Sequence, residues 1–309
     1  MRYFFGDRTL FIRGDFRAAS TGVNGGLRRV TTLLNHTVGK DFDHAEPLRP
    51  LEDLAAGMGY SRDFFGLLTA VDWRHTCILN HDFITLFVTA GVSNPNPGPD
   101  GTGTINIIVH SAEGFSDGAL LEALTTVTMA KADALRALGH SFSGTTTDAV
   151  AAACEGPVAH EYAGTATEAG RRVYRAAFQG VQEALARHEG RVERKAPSMF
   201  VFSRYGGDHW VEWSPVGCPY YPCHFEGQRC DYCYCPLYPC LDPELGQWVE
   251  SKNGGKVWNC AGCTLLHEPG VADYLKKNPE AGLRELKEVR SSRSPKSRKK
   301  VTSRGSRGR

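Results

Sequence analysis

The stretch SGTTTDAVAAAC, residues 143–154, joins four hydroxyl side chains and the carboxylate of Asp148 to an apolar run of six residues. We interpret it as the working edge of a buried strand, because small and β-branched residues suit a pleated surface. Small hydroxyl residues after a glycine allow a ligand to approach the backbone, and a carboxylate at a polar-to-apolar boundary has a tunable pKa. A Thr-rich strand without any function is the alternative.

The length of the chain and the distribution of its charges predict more than one domain and a distinct C-terminal tail. A chain of 309 residues suggests about two domains. Residues 290–309 carry nine Arg or Lys and no acidic residue, which leaves 27 basic and 34 acidic side chains in residues 1–289. This Ser-rich basic tail has no apolar pattern and is predicted to be disordered. It either attracts nucleic acid or acidic partners, or is a solvated tail without a dedicated role.

The N-terminal residues and the cysteines indicate the cellular compartment of the protein and the boundaries of its domains. The N-terminus lacks the apolar core of a secretion signal, and no run approaches about 18 apolar residues, so we expect a cytoplasmic protein that does not span a membrane. Eight of the ten cysteines fall between Cys218 and Cys263, and in a reducing compartment they favour metal binding over disulfides. We therefore predict a first domain at 1–205, a cysteine-rich domain at 206–275 and a short helix with the tail at 276–309.

Hydrophobic patterning predicts the elements of the first domain. Two long helices are expected, one capped by Ser116 and ending at Gly139, the other starting at a capping box, Thr165 to Glu168, and ending at Gly190. Residues 51–69 look helical and then irregular. The segments with the pattern of strands are 9–13, 75–80, 83–94, 102–110 and 199–202. The fold class is therefore α/β or α+β, with a mixed sheet and long helices.

Three further features are candidates for a site. Residues 17–27 form a second hydroxyl-and-glycine stretch, which either brings backbone N–H groups close to a ligand or is a plain turn. Asn106 stands among apolar neighbours and makes either a packing hydrogen bond or a substrate contact. Lys131 lies on the apolar stripe of the first helix, where it snorkels to solvent or points into a site as a cation.

Six blocks of residues 1 to about 205 together resemble the adenosylcobinamide amidohydrolase family, and they occur in the family's order. They are FRAASTGVNGGL (16–27), VTAGVSN (88–94), GTINIIV (103–109), AK (130–131), GTTTDAV (144–150) and AGTATEAG (163–170). The resemblance implies hydrolysis of adenosylcobinamide, in corrinoid salvage, to adenosylcobyric acid and 1-aminopropan-2-ol. It also implies that cobalt arrives with the substrate, so that the first domain needs no metal of its own.

Catalytic roles are proposed from the residues. Amide hydrolysis needs a nucleophile, a proton acceptor and donors for the oxyanion. We predict Asp148 as the base or as the orienter of a water or a Thr hydroxyl. Thr146, two residues away on the same face of a strand, is the best hydroxyl candidate. Lys131, Asn24 and the backbone N–H groups near Gly25 and Gly26 are predicted to stabilise the oxyanion.

A corrin ring edged with amides calls for amide and hydroxyl partners in the protein. The predicted substrate-binding residues are Ser20, Thr21, Gly25, Gly26, Asn94 and Asn106.

The cysteine-rich segment carries the strongest metal signal. CPYYPC (218–223) recurs as CPLYPC (235–240), and each is followed by a Cys-x-x-Cys pair. Eight thiols in four pairs match two tetrahedral sites of four thiolates each, for which zinc is favoured and an iron–sulfur cluster stays open. The predicted ligands are Cys218, Cys223, Cys230, Cys233, Cys235, Cys240, Cys260 and Cys263, with His209, His224 or His267 as possible substitutes for one thiolate.

This segment is similar to the small cysteine-rich domain sometimes appended to the same family. Cys77 and Cys154 lie on predicted strands and are expected to be buried packing residues. Two other functions stay open. One is a non-catalytic adaptor that binds a corrinoid or nucleic acid through the cysteine-rich domain and the tail, and a weaker one is a redox role of an iron–sulfur centre at the cobalt.

Overall fold

The computed structural model describes residues 1–39, 42, 45–92, 103–203, 207–213, 218, 220–233, 235–250 and 256–293. The chain divides into two compact units, Met1–Ser214 and Pro215–Arg309. The sequence prediction had put the first boundary at residue 205. The predicted contact Asn94 and the tail beyond residue 293 lie outside the described residues.

The first unit contains twelve described strands. They are β1 Arg2–Gly6, β2 Thr9–Ser20, β3 Gly26–Thr37, β4 Phe64–Thr69, β5 Cys77–His81, β6 Ile84–Val92, β7 Gly103–Ser111, β8 Gly114–Phe115, β9 Ala149–Cys154, β10 Val158–His160, β11 Ser198–Ser203 and β12 His209–Trp213. Ten of them form one sheet in the order β12-β11-β5-β6-β7-β9-β2-β3-β4, with β1 paired to β2. Parallel pairs such as β7 with β9 and antiparallel pairs such as β2 with β9 occur together. This confirms the predicted mixed sheet.

Two long helices cover one face of the sheet. Helix α2, Asp117–Ala137, begins after Ser116, whose hydroxyl accepts a hydrogen bond from the backbone N–H of Ala119, as predicted. Helix α3, Glu168–His188, is capped by Thr167 and not by Thr165, because the Thr167 hydroxyl accepts from the Gly170 N–H. Small and branched apolar residues of both helices pack on the outer face of β6, β7 and β9.

The sheet curls towards its inner face, the one that the two long helices do not cover. Asn106 on β7 donates a hydrogen bond of 2.9 Å to the carbonyl oxygen of Leu68 on β4, although β9, β2 and β3 lie between these strands in the sheet order. The sheet therefore bends until its β4 end approaches β7. The enclosed space is filled by a second apolar core that includes Leu33, Phe65 and Phe87. Helix α1, Arg49–Gly57, covers a smaller cluster with its buried Leu51.

The predicted strand edge at residues 143–148 is a loop. Strand β9 begins at Ala149, and residues 143–148 form bends and a turn in front of it. The alternation of side chains along a strand therefore does not relate Thr146 to Asp148, and that step of the sequence argument is wrong. The apolar run itself forms the strand as expected, since all six of its residues are buried.

The second unit is small and has its own core. Strands β13, Gln247–Glu250, and β14, Lys256–Asn259, form a hairpin, and two helices follow, α4 Pro269–Lys277 and α5 Leu283–Arg293. Leu286 on α5 is fully buried with Leu265 and Leu275. Helix α5 is thus part of this unit's core, whereas the sequence prediction had separated residues 276–309 from the cysteine-rich domain.

Candidate functional site

One edge of the sheet collects the segments that the sequence analysis singled out. Strand β2 ends there at Ser20, and β7 and β9 begin there at Gly103 and Ala149. Because β7 and β9 run parallel and β2 runs antiparallel to β9, the three chain segments meet although they are far apart in sequence. We call this region, together with the loop 143–148, the loop edge.

Asp148 is the most heavily bonded side chain at the loop edge. Its Oδ1 accepts hydrogen bonds from the Ile105 backbone N–H at 2.8 Å and the Thr145 hydroxyl at 2.6 Å. Its Oδ2 accepts from the Lys131 ammonium at 2.5 Å and the Thr145 backbone N–H at 3.0 Å. Four donors occupy the carboxylate, so this arrangement holds the loop in place and leaves little room for Asp148 to take a proton from a substrate.

Lys131 points into the site and does not snorkel. Its side chain and that of Asp148 are each only 8% exposed. A Cβ atom on Gly144 would lie 2.4 Å from Asp148 Oδ2 and 2.5 Å from Lys131 Nζ. Any larger residue at position 144 would have to displace this ion pair, which accounts for the glycine that opens the threonine run.

The three threonines of the loop differ in their contacts. The Thr147 hydroxyl donates to the carbonyl oxygen of Gly103 at 2.9 Å and lies 2.9 Å from the Thr104 hydroxyl. The Thr145 hydroxyl, whose one proton is donated to Asp148, lies 2.8 Å from the same carbonyl oxygen. Thr146 is exposed, and among the described residues its hydroxyl makes no hydrogen bond. Within this loop the exposed hydroxyls of Thr146 and Ser143 are therefore available to a ligand.

The loop between β2 and β3 is held by its own polar groups. Asn24 uses both ends of its amide on β4, donating to the Phe64 carbonyl at 2.6 Å and accepting from the Gly66 N–H at 3.0 Å. The backbone N–H of Gly25 donates to Gly22. Asn24 and the Gly25 N–H thus make structural hydrogen bonds within the protein, and their predicted oxyanion role stays a prediction.

The neighbouring substrate candidates also have protein partners. The Ser20 hydroxyl accepts from the Gly22 N–H, and the side chain is nearly buried. Thr21 pairs with Val150 through its backbone N–H and its hydroxyl. Gly26 has a φ of 126°, a conformation that favours glycine and starts β3. This stretch lies at the loop edge, and its side chains make hydrogen bonds within the protein.

Asn106 has a packing role. It is fully buried, and its Nδ2 donates to the Leu68 carbonyl and to Asn35 Oδ1, each at 2.9 Å. Asn35 in turn donates to the Thr89 hydroxyl. Of the two alternatives for Asn106, a packing bond and a substrate contact, the structure supports the first.

Two histidines that the sequence analysis missed lie at the same edge. The rings of His75 and His188 are 6.2 Å apart, and a Cβ atom on Gly91 near the end of β6 would lie 2.9 Å from His188 Nε2. Gly91 pairs with Thr104, and opposite residues have Cβ atoms about 5 Å apart, which puts this imidazole within about 10 Å of the Thr104 hydroxyl. Burial, followed by the neighbouring His75, lowers the pKa of His188. The sequence signal that could have identified His188 is its place in HEG (188–190), next to the glycine that ends the second long helix.

Seven of the eight thiols of the second unit gather in two places. Gln228, which is buried, donates from Nε2 to the sulfur atoms of Cys223 and Cys230, both at 3.2 Å. Elsewhere, five cysteines surround a cavity of about 190 Å³ together with apolar residues such as Leu237 and Leu245. The five are Cys233, Cys235, Cys240, Cys260 and Cys263.

The donor chemistry of this unit fits a thiophilic metal. Burial raises the pKa of Cys235 to about 12, and nearby Cys263, Cys260 and Cys240 add to the rise, so these four thiols are close neighbours. Within the described ranges, no three His, Cys, Asp or Glu side chains already converge at metal-ligand distance. The ten cysteines, all among the described residues, form no disulfide, and Cys77 and Cys154 are buried as packing residues, as predicted.

The three histidines considered as substitute ligands do not all lie in the same unit. The rings of His224 and His267 contact each other with centroids 4.4 Å apart and a tilt of 34°, and both line the thiol cavity. His209 begins β12 in the first unit, where its Nδ1 lies 2.6 Å from the Gly207 carbonyl oxygen. In the part of the chain that the structure describes, no helix is long and apolar enough to cross a membrane.

Comparison with known proteins yields two family matches. A family model described as adenosylcobinamide amidohydrolase matches residues 9–193, and one described as cysteine-rich small domain matches residues 209–290. No solved structure matches the chain.

Curated relatives agree with these matches. A protein of Methanosarcina mazei named adenosylcobinamide amidohydrolase is 40% identical over 195 residues, which cover 60% of this chain and 98% of that protein. A Halobacterium salinarum protein of the same name is 31% identical over 185 residues, 55% of this chain and 80% of that protein. A probable cobalt-factor III C(17)-methyltransferase of Methanothermobacter thermautotrophicus is 42% identical over 62 residues, 20% of this chain and 17% of that protein.

Proposed function

Because this chain belongs to the adenosylcobinamide amidohydrolase family, and is therefore an amidohydrolase, we propose that its first unit hydrolyses adenosylcobinamide to adenosylcobyric acid and 1-aminopropan-2-ol in corrinoid salvage. The observation that carries the proposal is the loop edge. Segments that resemble the family in the sequence, around residues 20–26, 91–92, 103–106 and 143–148, meet there at one end of the sheet.

The reaction defines what the site has to do. Hydrolysis breaks the C–N bond of the amide, adds the hydroxyl of water to the carbonyl carbon and delivers a proton to the departing amine nitrogen. A group that can both take and give a proton near neutral pH is therefore required. Histidine is the side chain whose ordinary pKa suits this exchange.

We assign Asp148 and Lys131 to positioning and not to proton transfer. The carboxylate is fully occupied by its four donors, and the ammonium lies against it at 2.5 Å. The pair fixes the loop that presents Thr146 to solvent. Thr146 is the candidate nucleophile or water-orienting hydroxyl, and the Lys131 ammonium lies next to Gly144, where a Cβ atom would be 2.5 Å from Nζ.

We assign the proton exchange to His188, supported by His75. Its imidazole lies over Gly91 at the loop edge and its lowered pKa keeps the ring neutral at pH 7, as a base must be. General acid–base groups contribute about 10² to 10⁴ in rate. Loss of this group should slow hydrolysis by at least about 100-fold without abolishing binding.

The test is direct. The purified chain is incubated with adenosylcobinamide, and mass spectrometry follows adenosylcobyric acid and free aminopropanol. The variant His188→Gln should bind the corrinoid and lose the pH dependence of its residual rate. His160→Gln is the matched control, because His160 lies at the opposite end of β7, bonded to Glu113. Tight corrinoid binding without aminopropanol release by the unaltered chain would instead support a carrier.

For the second unit we propose metal binding through its eight cysteines, with zinc favoured over an iron–sulfur cluster. Thiolate is the ligand that zinc shares with iron–sulfur centres, and tetrahedral four-thiolate sites are common for zinc. When bound, the metal would supply folding free energy to a small unit whose apolar core is limited.

A further inference from the structure

The cysteine-rich unit is built from two copies of one pattern. Each copy consists of a Cys-Pro-x-Tyr-Pro-Cys hexapeptide followed by a Cys-x-x-Cys pair. In the first copy the hexapeptide is 218–223 and the pair is Cys230 and Cys233. In the second copy the hexapeptide is 235–240 and the pair is Cys260 and Cys263. The copies follow one another along the chain without overlap.

The two copies also fold alike. In the hexapeptides, Tyr221 N–H donates to the Cys218 carbonyl at 3.2 Å, and Tyr238 N–H donates to the Cys235 carbonyl at 3.1 Å. The pairs show a second matching turn, because the N–H of the last cysteine donates to the carbonyl of the first. These distances are 3.3 Å between Cys233 and Cys230 and 2.9 Å between Cys263 and Cys260. Repetition of sequence thus coincides with repetition of backbone geometry.

In the first copy, one side chain joins the hexapeptide to the pair. Gln228 Nε2 contacts the sulfur atoms of both Cys223 and Cys230 at 3.2 Å, so these sulfurs are no more than about 6.4 Å apart. Four thiolates at about 2.3 Å from a tetrahedral ion stand about 3.8 Å from each other. A displacement of a few ångströms therefore suffices for both to bind one ion. The Gln228 amide is itself fixed, because its oxygen accepts from the backbone N–H of His224 at 2.8 Å.

In the second copy, the cavity joins the hexapeptide to the pair. Cys235, Cys240, Cys260 and Cys263 all line it, and Leu265 and Leu266 close it on the apolar side. Cys233 also lines this cavity, and its backbone turn joins it to Cys230. Each hexapeptide therefore lies beside the Cys-x-x-Cys pair of its own copy.

We propose that the unit holds two separate mononuclear sites for a zinc-like divalent ion, one in each copy. The first site uses Cys218, Cys223, Cys230 and Cys233, and the second uses Cys235, Cys240, Cys260 and Cys263. Gln228 is a positioning residue of the first site. This inference rests on the proposed metal binding and adds which thiols share an ion.

The chemistry of each site balances simply. Four thiols lose four protons as the dication binds, and the resulting complex carries a charge of −2. The N–H groups of Gln228 point at two of the four sulfurs, where they stabilise that charge and orient the ligands. Removal of this amide should weaken the first site and leave the second unchanged.

The decisive experiment counts zinc in paired variants of the full chain. The unaltered protein should hold two zinc ions per chain. Cys223→Ser with Cys230→Ser removes two ligands of one site and should leave one ion, whereas Cys223→Ser with Cys260→Ser damages both sites and should leave none. The opposite pattern would overturn the partition, because it would mean that each ion draws ligands from both copies.

A milder variant guards against a unit that fails to fold. Gln228→Leu should raise the zinc Kd of one ion at least tenfold in a chelator competition while the other ion is unaffected. Gln247→Leu, on the exposed strand β13, is the matched control and should change neither. Equal weakening of both ions by Gln228→Leu would contradict the assignment. Iron with labile sulfide in the unaltered protein would also overturn it.

Failure of the partition is distinguishable from failure of the proposed functions. A chain that binds no metal refutes metal binding itself, and a chain that binds two ions in the opposite pattern refutes the partition alone. Hydrolysis of adenosylcobinamide is measured on the same samples. It reports on the first unit, and its outcome does not decide how the thiols are shared.

Discussion

Replacing Asp148 with asparagine separates a structural from a catalytic role for this residue. The variant keeps the shape of the side chain but leaves the Lys131 ammonium without its counter-charge at a position where both side chains are 8% exposed. Breaking a buried ion pair by removing one partner costs about 3–5 kcal/mol. In a unit of this size each kcal/mol lowers Tm by about 2–4 °C, so we expect the first unit to melt about 6–20 °C lower.

Calorimetry of the full chain measures this effect, with Asp117→Asn as control. The Arg17–Asp117 pair is about half exposed on both sides, and exposed pairs contribute under about 1 kcal/mol. The double variant Lys131→Met with Asp148→Asn removes the unpaired charge and should recover much of the loss. If the free energy of unfolding of Asp148→Asn is within about 1 kcal/mol of that of the unaltered chain and hydrolysis is nevertheless abolished, the positioning role that we assign is wrong and Asp148 is the reacting base.

Two further predictions concern the stability of the first unit. Burial lowers the pKa of His110 below 6.5, and hydrogen bonds from His110 and the terminal amine outweigh burial to bring that of Glu155 from 4.5 to about 2. Both groups bind protons more readily when unfolded, so Tm should fall as pH drops from 6.5 towards 2; a shallower fall below pH 4.5 in Glu155→Gln than in the unaltered chain would confirm the share of Glu155. Gly180→Ala places a Cβ atom 2.7 Å from Leu79 Cδ1 and should cost about 1–3 kcal/mol in urea unfolding, whereas Gly118→Ala meets nothing closer than 3.6 Å and should cost nothing.

Local signals predicted the elements that depend on local chemistry. The Ser116 cap and the apolar stripe from Leu120 onward defined α2, and the uncharged run 149–154 defined β9. In α2 the buried apolar residues recur with the period of a helix, and in β9 they are consecutive, so a short stretch of sequence is enough to predict either pattern. The fold class followed from the mixture of strands and long helices.

The remaining features depend on long-range pairing. Strand β4 was missed because its residues, FFGLLT, follow a helix and lack alternation, since nearly all are buried. The Lys131–Asp148 ion pair joins a helix to a loop, and one of the four hydrogen bonds to Asp148 comes from the backbone N–H of Ile105 on β7. Sequence placed a lysine and a carboxylate in plausible elements, but only the order of strands determines that they meet.

The position of β9 between β7 and β2 bears on how the chain is synthesised. The strands β2, β3 and β4 can pair among themselves, as can β5, β6 and β7, before Ala149–Cys154 has left the ribosome. Until that moment, the facing sides of β2 and β7 are unpaired edges, and such edges attract other chains. Two half-sheets must therefore stay apart from their neighbours until a six-residue strand of alanine, valine and cysteine joins them. A nascent chain that pauses before residue 149 should be the form of this protein most prone to aggregate.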